Sequence, residues 1–384
     1  MNAGLYIHIP FCLSQCDYCD FYSVSADHSL IDQFLDALEA EIDLRAGDPN
    51  FANLEFQTIF FGGGTPSLLP GKQIEKIVTK VRRLYRVDNN LEFTIEANPE
   101  TISQVKLNEY KTIGINRLSL GIQSFYDSEL QMLGRIHNVD QAKKSIEWAI
   151  QSEFDNISMD LIFAVPGQTL NQWQKNLNQA IQYQPKHLSI YCLTIEPGTP
   201  LQSRILSGKI EKPDDETERD LYLWTIAALS RAGYQQYEIS NFSLPGFECR
   251  HNLNYWNGTP YLGLGPSAHS FWEDHRQWNV ASLEKYIKML ASGRLPTAEQ
   301  EKLSRDQKIL EFLYLNLRTN QGLDIVEFEN QFQMSFKEKF KWTLERLDRH
   351  ADGILFQFQK GRFKLKPNGF VLFDEICQYF ADEI

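Results

Sequence analysis

The sequence predicts an α/β protein: a partial (β/α)6 barrel followed by a smaller C-terminal α+β domain. Three observations lead there. Between residue 5 and about 200, short runs rich in β-branched and aromatic residues alternate with longer stretches of helical period, the pattern of parallel βα units. About six such units fit, too few for a closed eight-stranded barrel. A chain of 384 residues also exceeds what one small core organises, which favours two domains.

In chain order, strands are expected at residues 5–9, 57–61, 91–96, 117–120, 157–164 and 188–194. The first crossover helix, 30–44, sets Phe34, Leu35, Leu38 and Ile42 on one face with acidic residues between them. Stretches near 72–85, 103–113, 141–151 and 171–183 supply the other crossovers. Glycine, proline and aromatic residues dominate 237–278, where strands and irregular loops over the barrel mouth are expected rather than helices. Past Pro296, helical period returns at 306–320 and 336–347, and 354–365 alternates as a hairpin with Gly361 near its turn. The expected division is a core at 1–236, a barrel extension at 237–296 and a small α+β domain at 297–384.

Composition narrows the function classes. Hydrophobic residues make up 42% and charged residues 23%, ordinary for a globular chain with a sizeable core. Fifty acidic against 38 basic side chains leave a net charge of -12, which repels a polyphosphate backbone and argues against nucleic acid as the main partner. No stretch approaches a membrane span, and Met1-Asn2-Ala3-Gly4 lacks the basic region of a secretory signal, so a cytoplasmic location is expected.

Of six cysteines, three fall in Cys12-Leu-Ser-Gln-Cys16-Asp-Tyr-Cys19, directly after the first strand. The other three, Cys192, Cys249 and Cys377, are scattered, which does not make a disulfide framework; Cys192 and Cys377 read as buried small hydrophobes, while Cys249, with His251 close behind it, stays open to another role. A loop at the C-terminal end of a barrel strand is where such folds build their sites. Three thiolates there satisfy three irons of a 4Fe-4S cubane and leave the fourth iron open to a small ligand. Position 21, where a fourth cysteine would fall, is Phe21. Tyr18 and Phe21 suit a cluster by excluding water. A zinc site completed by His8, Asp17 or His28 is the alternative from spacing alone.

The second strand ends in Gly62-Gly63-Gly64-Thr65-Pro66, whose bare backbone lets a ligand's polar groups approach N–H and C=O directly. Glu96 closes the third strand, Gln123 follows the fourth and Asp160 lies in the fifth, so polar groups converge on one rim.

Five motifs now bear on family: Tyr6-Ile-His-Ile-Pro-Phe-Cys12, Gly62-Gly-Gly-Thr-Pro66, Glu96-Ala-Asn-Pro99, Gly121-Ile-Gln-Ser124 and His251-Asn-Leu-Asn-Tyr-Trp256. Through them the chain resembles the radical SAM proteins of the coproporphyrinogen oxidase-like group, over essentially its whole length. The resemblance implies that Cys12, Cys16 and Cys19 ligate a 4Fe-4S cluster. It implies S-adenosylmethionine (SAM) beside it, with Tyr6, Gly62, Gly63, Gly64 and Thr65 lining its site and Glu96, Gln123, Arg135 and Asp160 holding its polar groups. Carboxylates can accept from ribose hydroxyls and an ammonium, and Arg135 can pair with a carboxylate.

Two function classes share this scaffold: an oxidase that decarboxylates coproporphyrinogen III through a 5'-deoxyadenosyl radical, and a chaperone that binds heme and hands it on. Relatives with oxidase activity carry a cysteine where this chain has Phe21, and a longer segment before the first strand than precedes Cys12 here. The six residues His251 to Trp256 resemble the heme-binding motif of the chaperone branch: an imidazole can ligate iron while Tyr255 and Trp256 offer flat apolar surfaces. Cys249 or His269 is the candidate second axial ligand, and Arg250 a cation for heme's propionates. The expected function is therefore a heme chaperone whose partners are heme and acceptor hemoproteins, with respiratory enzymes implied by the family. An oxygen-independent coproporphyrinogen oxidase, or a radical SAM enzyme of another substrate, is the alternative, and no catalytic residue is assigned.

Overall fold

The computed structural model describes residues 2–351 and 353–384. Its first strand shows why the chain folds as it does. In β1 (Asn2–Ile9), Ala3, Leu5, Ile7 and Ile9 are fully buried towards the outer helices, while the alternate positions, Gly4, Tyr6 and His8, face inward. Five further strands repeat the pattern: β2 (Glu55–Gly63), β3 (Arg86–Ala97), β4 (Arg117–Gln123), β5 (Asn156–Phe163) and β6 (His187–Cys192). All pair parallel in the order β1-β2-β3-β4-β5-β6, with helices between them.

The crossover helices lie where periodicity places them. Helix His28–Ala46 starts at Asp27, whose side chain accepts from the Leu30 N–H, and buries Phe34, Leu35, Leu38 and Ile42, the four residues expected on its apolar face. Burying each such side chain stabilises by about 1.5–3 kcal/mol. Helices Val139–Gln151 and Leu170–Gln182 both open on capping boxes, Asn138 with Gln141 and Thr169 with Gln172.

The sheet extends on both sides. Short strands β7 (Gln235–Gln236) and β8 (Asn241–Ser243) add antiparallel beyond β6. On the other side β9 (Tyr261–Leu264) joins β1 parallel, followed by antiparallel β10 (His269–Trp272), β11 (His275–Asn279) and β12 (Thr297–Lys302). The twelve strands run from β12 to β7 without closing, so the barrel is partial, as expected. The sheet continues past residue 297, where the sequence reading begins the small domain, because Thr297–Lys302 pairs along β11.

One local expectation fails. Residues Arg250–Trp256 are a helix, not strand or loop. Its opening N–H groups, those of Arg250 and His251, each lie 2.9 Å from the Glu92 carboxylate on β3, a partner far away in sequence.

Beyond β12, helices surround a three-stranded sheet of Leu323–Asp324, Arg362–Leu365 and Phe356–Gln359. Phe328, Phe336, Phe340, Phe363 and Phe380 fill its core. The hairpin turns through Lys360 (φ 50°) and Gly361 (φ 76°), the two left-handed residues of a tight hairpin. Among the described residues no helix is long and apolar enough to cross a membrane.

Candidate functional site

Every parallel strand delivers its C-terminal end to one rim, and a cavity of about 410 Å³ lies there. Cys12, Cys16, Cys19, Gly63, Gly64, Thr65, Glu96, Gln123, Arg135 and Asp160 all line it. Residues spread over nearly 150 positions of sequence thus share one wall. Tyr6 and Gly62 do not line this cavity; they lie one layer below it, where a Cβ on Gly62 would stand 2.9 Å from the Tyr6 ring.

The cysteine loop is anchored by backbone hydrogen bonds. Gly64 N–H donates to Ile9 O (2.8 Å), Thr65 N–H to Phe11 O (2.7 Å), Val24 N–H to Pro10 O (2.7 Å) and Asp17 N–H to Leu133 O (3.1 Å). The glycine run follows from this closeness. A Cβ on Gly64 would stand 2.7 Å from Phe11 O, and one on Gly63 would stand 2.5 Å from the His8 ring at a φ of +108°. At all three glycines a side chain would collide with a neighbour.

The donor set fits an iron–sulfur cluster. Among the described residues, the only trio of ligand atoms within 4.8 Å of one another is Glu273, Asp274 and His275. The three thiols are therefore not all within 4.8 Å of one another, whereas one zinc ion, with Zn–S bonds of about 2.3 Å, would gather them closer than that. Burial pushes the Cys19 thiol up to about 11, and raises Cys12 for the same first cause. Bound metal would reverse that by stabilising thiolate. Arg135 Nη1 lies 3.4 Å from Cys16 Sγ and Nη2 lies 2.7 Å from Asn98 Oδ1, while among the described residues its buried Nε has no hydrogen-bond partner. Its charge faces the cavity beside the cysteines, as a helix-end arginine on the surface would not.

The carboxylates are held ready for polar partners. Asp160 accepts from Ser119 Oγ (3.1 Å) and Ser158 Oγ (3.3 Å). Glu96 accepts from the Gly63 N–H (3.2 Å); burial first, and then the charge of Asp160, push its carboxyl up to about 8. An acid whose folded value is raised costs nothing at low pH, then destabilises progressively as the unfolded chain ionises first, with the full cost reached above about pH 8. Because Glu96 opens onto the cavity, water limits that cost to about 1–2 kcal/mol. Glu96→Gln should therefore match the wild type near pH 4.5 and become the more stable protein as pH rises to 8, measured by denaturant unfolding of ligand-free protein. A gap that does not grow with pH would contradict the assignment.

Gln123 adopts φ 63°, a left-handed conformation in a non-glycine residue at the cavity rim. Sequence reasoning missed Tyr18 and Asn98 as Arg135 partners and Tyr191 as a wall residue. Asn98 and Tyr191 were findable, since both lie at C-terminal ends of barrel strands.

His251 is elsewhere. It is 1% exposed inside the barrel, with Nδ1 2.7 Å from Thr58 Oγ1, Nε2 2.9 Å from Tyr255 Oη, and its ring stacked on Phe60 at 5.0 Å. Burial, then the nearby Arg117 charge, push its imidazole down to about 3, so it is neutral. For the expected heme-iron ligand this means that in this conformation both ring nitrogens are engaged, and iron could reach one only at the loss of a hydrogen bond. Cys249 is fully buried, 3.7 Å from Glu92, so it does not stand open to an incoming porphyrin, and half-buried Arg250 donates to Asn90 O.

Tyr255 and Trp256 instead help line a second cavity of about 530 Å³, together with Tyr6, His8, Tyr261, His269, Phe271 and Arg276. Phe21 lines both cavities. From the other side the Arg318 guanidinium stacks on Trp256 at 3.8 Å and pairs with buried Glu238, tying the motif helix to the C-terminal helices.

Comparison with known proteins agrees with this architecture. The radical SAM superfamily matches residues 6–180 and the HemN C-terminal domain matches residues 303–372. The protein named heme chaperone HemW from Bacillus subtilis (strain 168) is 34% identical, covering 99% of each chain. Its namesake from Synechocystis sp. is 38% identical over 84% of this chain and 79% of its own. In structure, coproporphyrinogen III oxidase (HemN) from Escherichia coli, a radical SAM enzyme, superposes with a TM-score of 0.85 at 27% identity, over 100% of this chain and 90% of that one. Membership of the superfamily implies a 4Fe-4S cluster and SAM. On this near full-length likeness, the chain belongs to the HemW family of radical SAM proteins.

Proposed function

We propose that this protein is a heme chaperone: it binds heme in the cytoplasm and passes it to acceptor hemoproteins, respiratory enzymes among them. In this reading Cys12, Cys16 and Cys19 hold the cluster. SAM lies along Gly63, Gly64 and Thr65, with Tyr6 and Gly62 supporting that wall from below. Glu96, Gln123, Arg135 and Asp160 hold its polar groups, and an ammonium beside Glu96 would restore that carboxylate to its charged form.

The observation that carries the heme reading is the second cavity, walled by the motif's Tyr255 and Trp256 and joined to the cluster cavity through Phe21. Its volume falls in the range of roughly 300–1,000 Å³ typical of small-molecule sites, and aromatic walls suit a porphyrin plane. The names of the relatives support the same reading. The oxidase alternative needs cations for a tetracarboxylate substrate, and those lining the two cavities already have partners. The arginines lining the two cavities are Arg135 and Arg276, the first engaged with Cys16 and Asn98, the second paired with Glu311.

The test is a hemin titration of the anaerobically reconstituted protein, followed by transfer to an apo-hemoprotein. A saturable Soret shift and recovery of the acceptor's own spectrum are expected. Protoporphyrinogen formed from coproporphyrinogen under reducing, anaerobic conditions with SAM would establish the oxidase instead.

A further inference from the structure

Three imidazoles lie in or against the second cavity, and they differ in what their nitrogens are doing. His251 spends both on Thr58 and Tyr255. His8, 5% exposed, spends its own on Tyr6 Oη (3.1 Å) and Tyr22 O (2.9 Å) while its ring shapes Gly63. His269 is different. It is exposed, and among the described residues its side chain makes no hydrogen bond or ion pair.

Its orientation is nevertheless set. His269 pairs across the antiparallel ladder with Trp278, and the rings stack at 5.6 Å and 24°. Phe271, two residues along β10, lies on the same face, opposite Arg276 on β11 and Tyr261 on β9. Tyr261 is in turn level with Gly4 of β1, so this aromatic face continues the inner wall that carries Tyr6 and His8. The cavity thus has flat apolar sides, one imidazole free to donate a lone pair, and an exposed aromatic, Phe21, at its boundary with the cluster cavity.

Resting on the heme reading above, we infer that heme occupies this second cavity among Tyr255, Trp256, Tyr261 and Phe271, with His269 rather than His251 as the protein ligand to its iron. His251 is then a positioning residue: it pins the motif helix that presents Tyr255 and Trp256. Ligation by His269 requires no hydrogen bond to break, whereas ligation by His251 requires the loss of at least one.

The experiment is hemin titration of the full-length, cluster-reconstituted protein, comparing wild type, His269→Ala and His251→Ala by affinity and Soret spectrum. His269→Ala should keep the wild-type fold by circular dichroism. It should lose at least the roughly 10- to 100-fold in affinity that removal of an outer-shell metal partner costs. It should also change its Soret position, and free imidazole should restore the wild-type band. Unchanged affinity and spectrum in His269→Ala, with their loss in a folded His251→Ala, would overturn the ligand assignment and leave the heme reading standing. A wild type that binds no hemin would remove that reading, and this assignment with it.

Discussion

Serine in place of Cys12, Cys16 and Cys19 will yield a folded but colourless protein that takes up no iron on anaerobic reconstitution, whereas the wild type turns brown. The fold is expected to survive because the loop is anchored by main-chain bonds: Ile9 O to Gly64, Phe11 O to Thr65, Cys12 O to the Ala26 N–H and Leu133 O to Asp17. Thiol-to-hydroxyl changes touch none of these. At partly exposed positions they should alter ligand-free stability by about 0.5 kcal/mol or less. Iron uptake should fall to background, because a serine hydroxyl is a poor ligand for iron that prefers soft thiolate. Iron and sulfide analysis with charge-transfer absorbance makes the measurement. A brown triple variant would refute the ligand set, and a colourless, zinc-loaded wild type would refute the cluster.

Glu92→Ala is expected to be the most destabilising single change near the motif, by about 2–5 kcal/mol. Glu92 is 6% exposed on β3, and its two oxygens each lie 2.9 Å from a backbone nitrogen, Arg250 N and His251 N. The Cys249 thiol is 3.7 Å away. Removal strands the buried His251 N–H and the part-buried Arg250 N–H, the buried one costing about 1–3 kcal/mol, and deprives buried Arg117 of a negative neighbour. Glu92→Gln keeps an acceptor and should lose less. Urea unfolding gives the magnitude, and hydrogen exchange over residues 250–256 shows whether the motif helix is the part released. If both variants unfold like the wild type, the helix is not anchored through Glu92.

How far the sequence could be read depended on the range of the interaction. Phe34, Leu35, Leu38 and Ile42 announced a helix because their spacing is a local property of the chain, and the structure buries all four. The strand ends likewise placed Glu96, Asp160 and the glycine run on one rim. Arg135 was named only through family resemblance, since nothing in its neighbourhood says that Asn98 and Cys16 will be its partners. The motif at residues 250–256 misled in secondary structure because its helix is capped by Glu92, 158 and 159 positions away.

By itself the sequence determined the three-cysteine loop, the parallel βα framework and the family, because thiol spacing and side-chain periodicity are written into a few consecutive residues. Only the tertiary structure decided that His251 is bonded to Thr58 across 193 residues while His269, among the described residues, has no side-chain hydrogen bond. Whether an imidazole has a lone pair to offer depends on what the fold packs against it, and those partners come from strands that meet only when the sheet assembles.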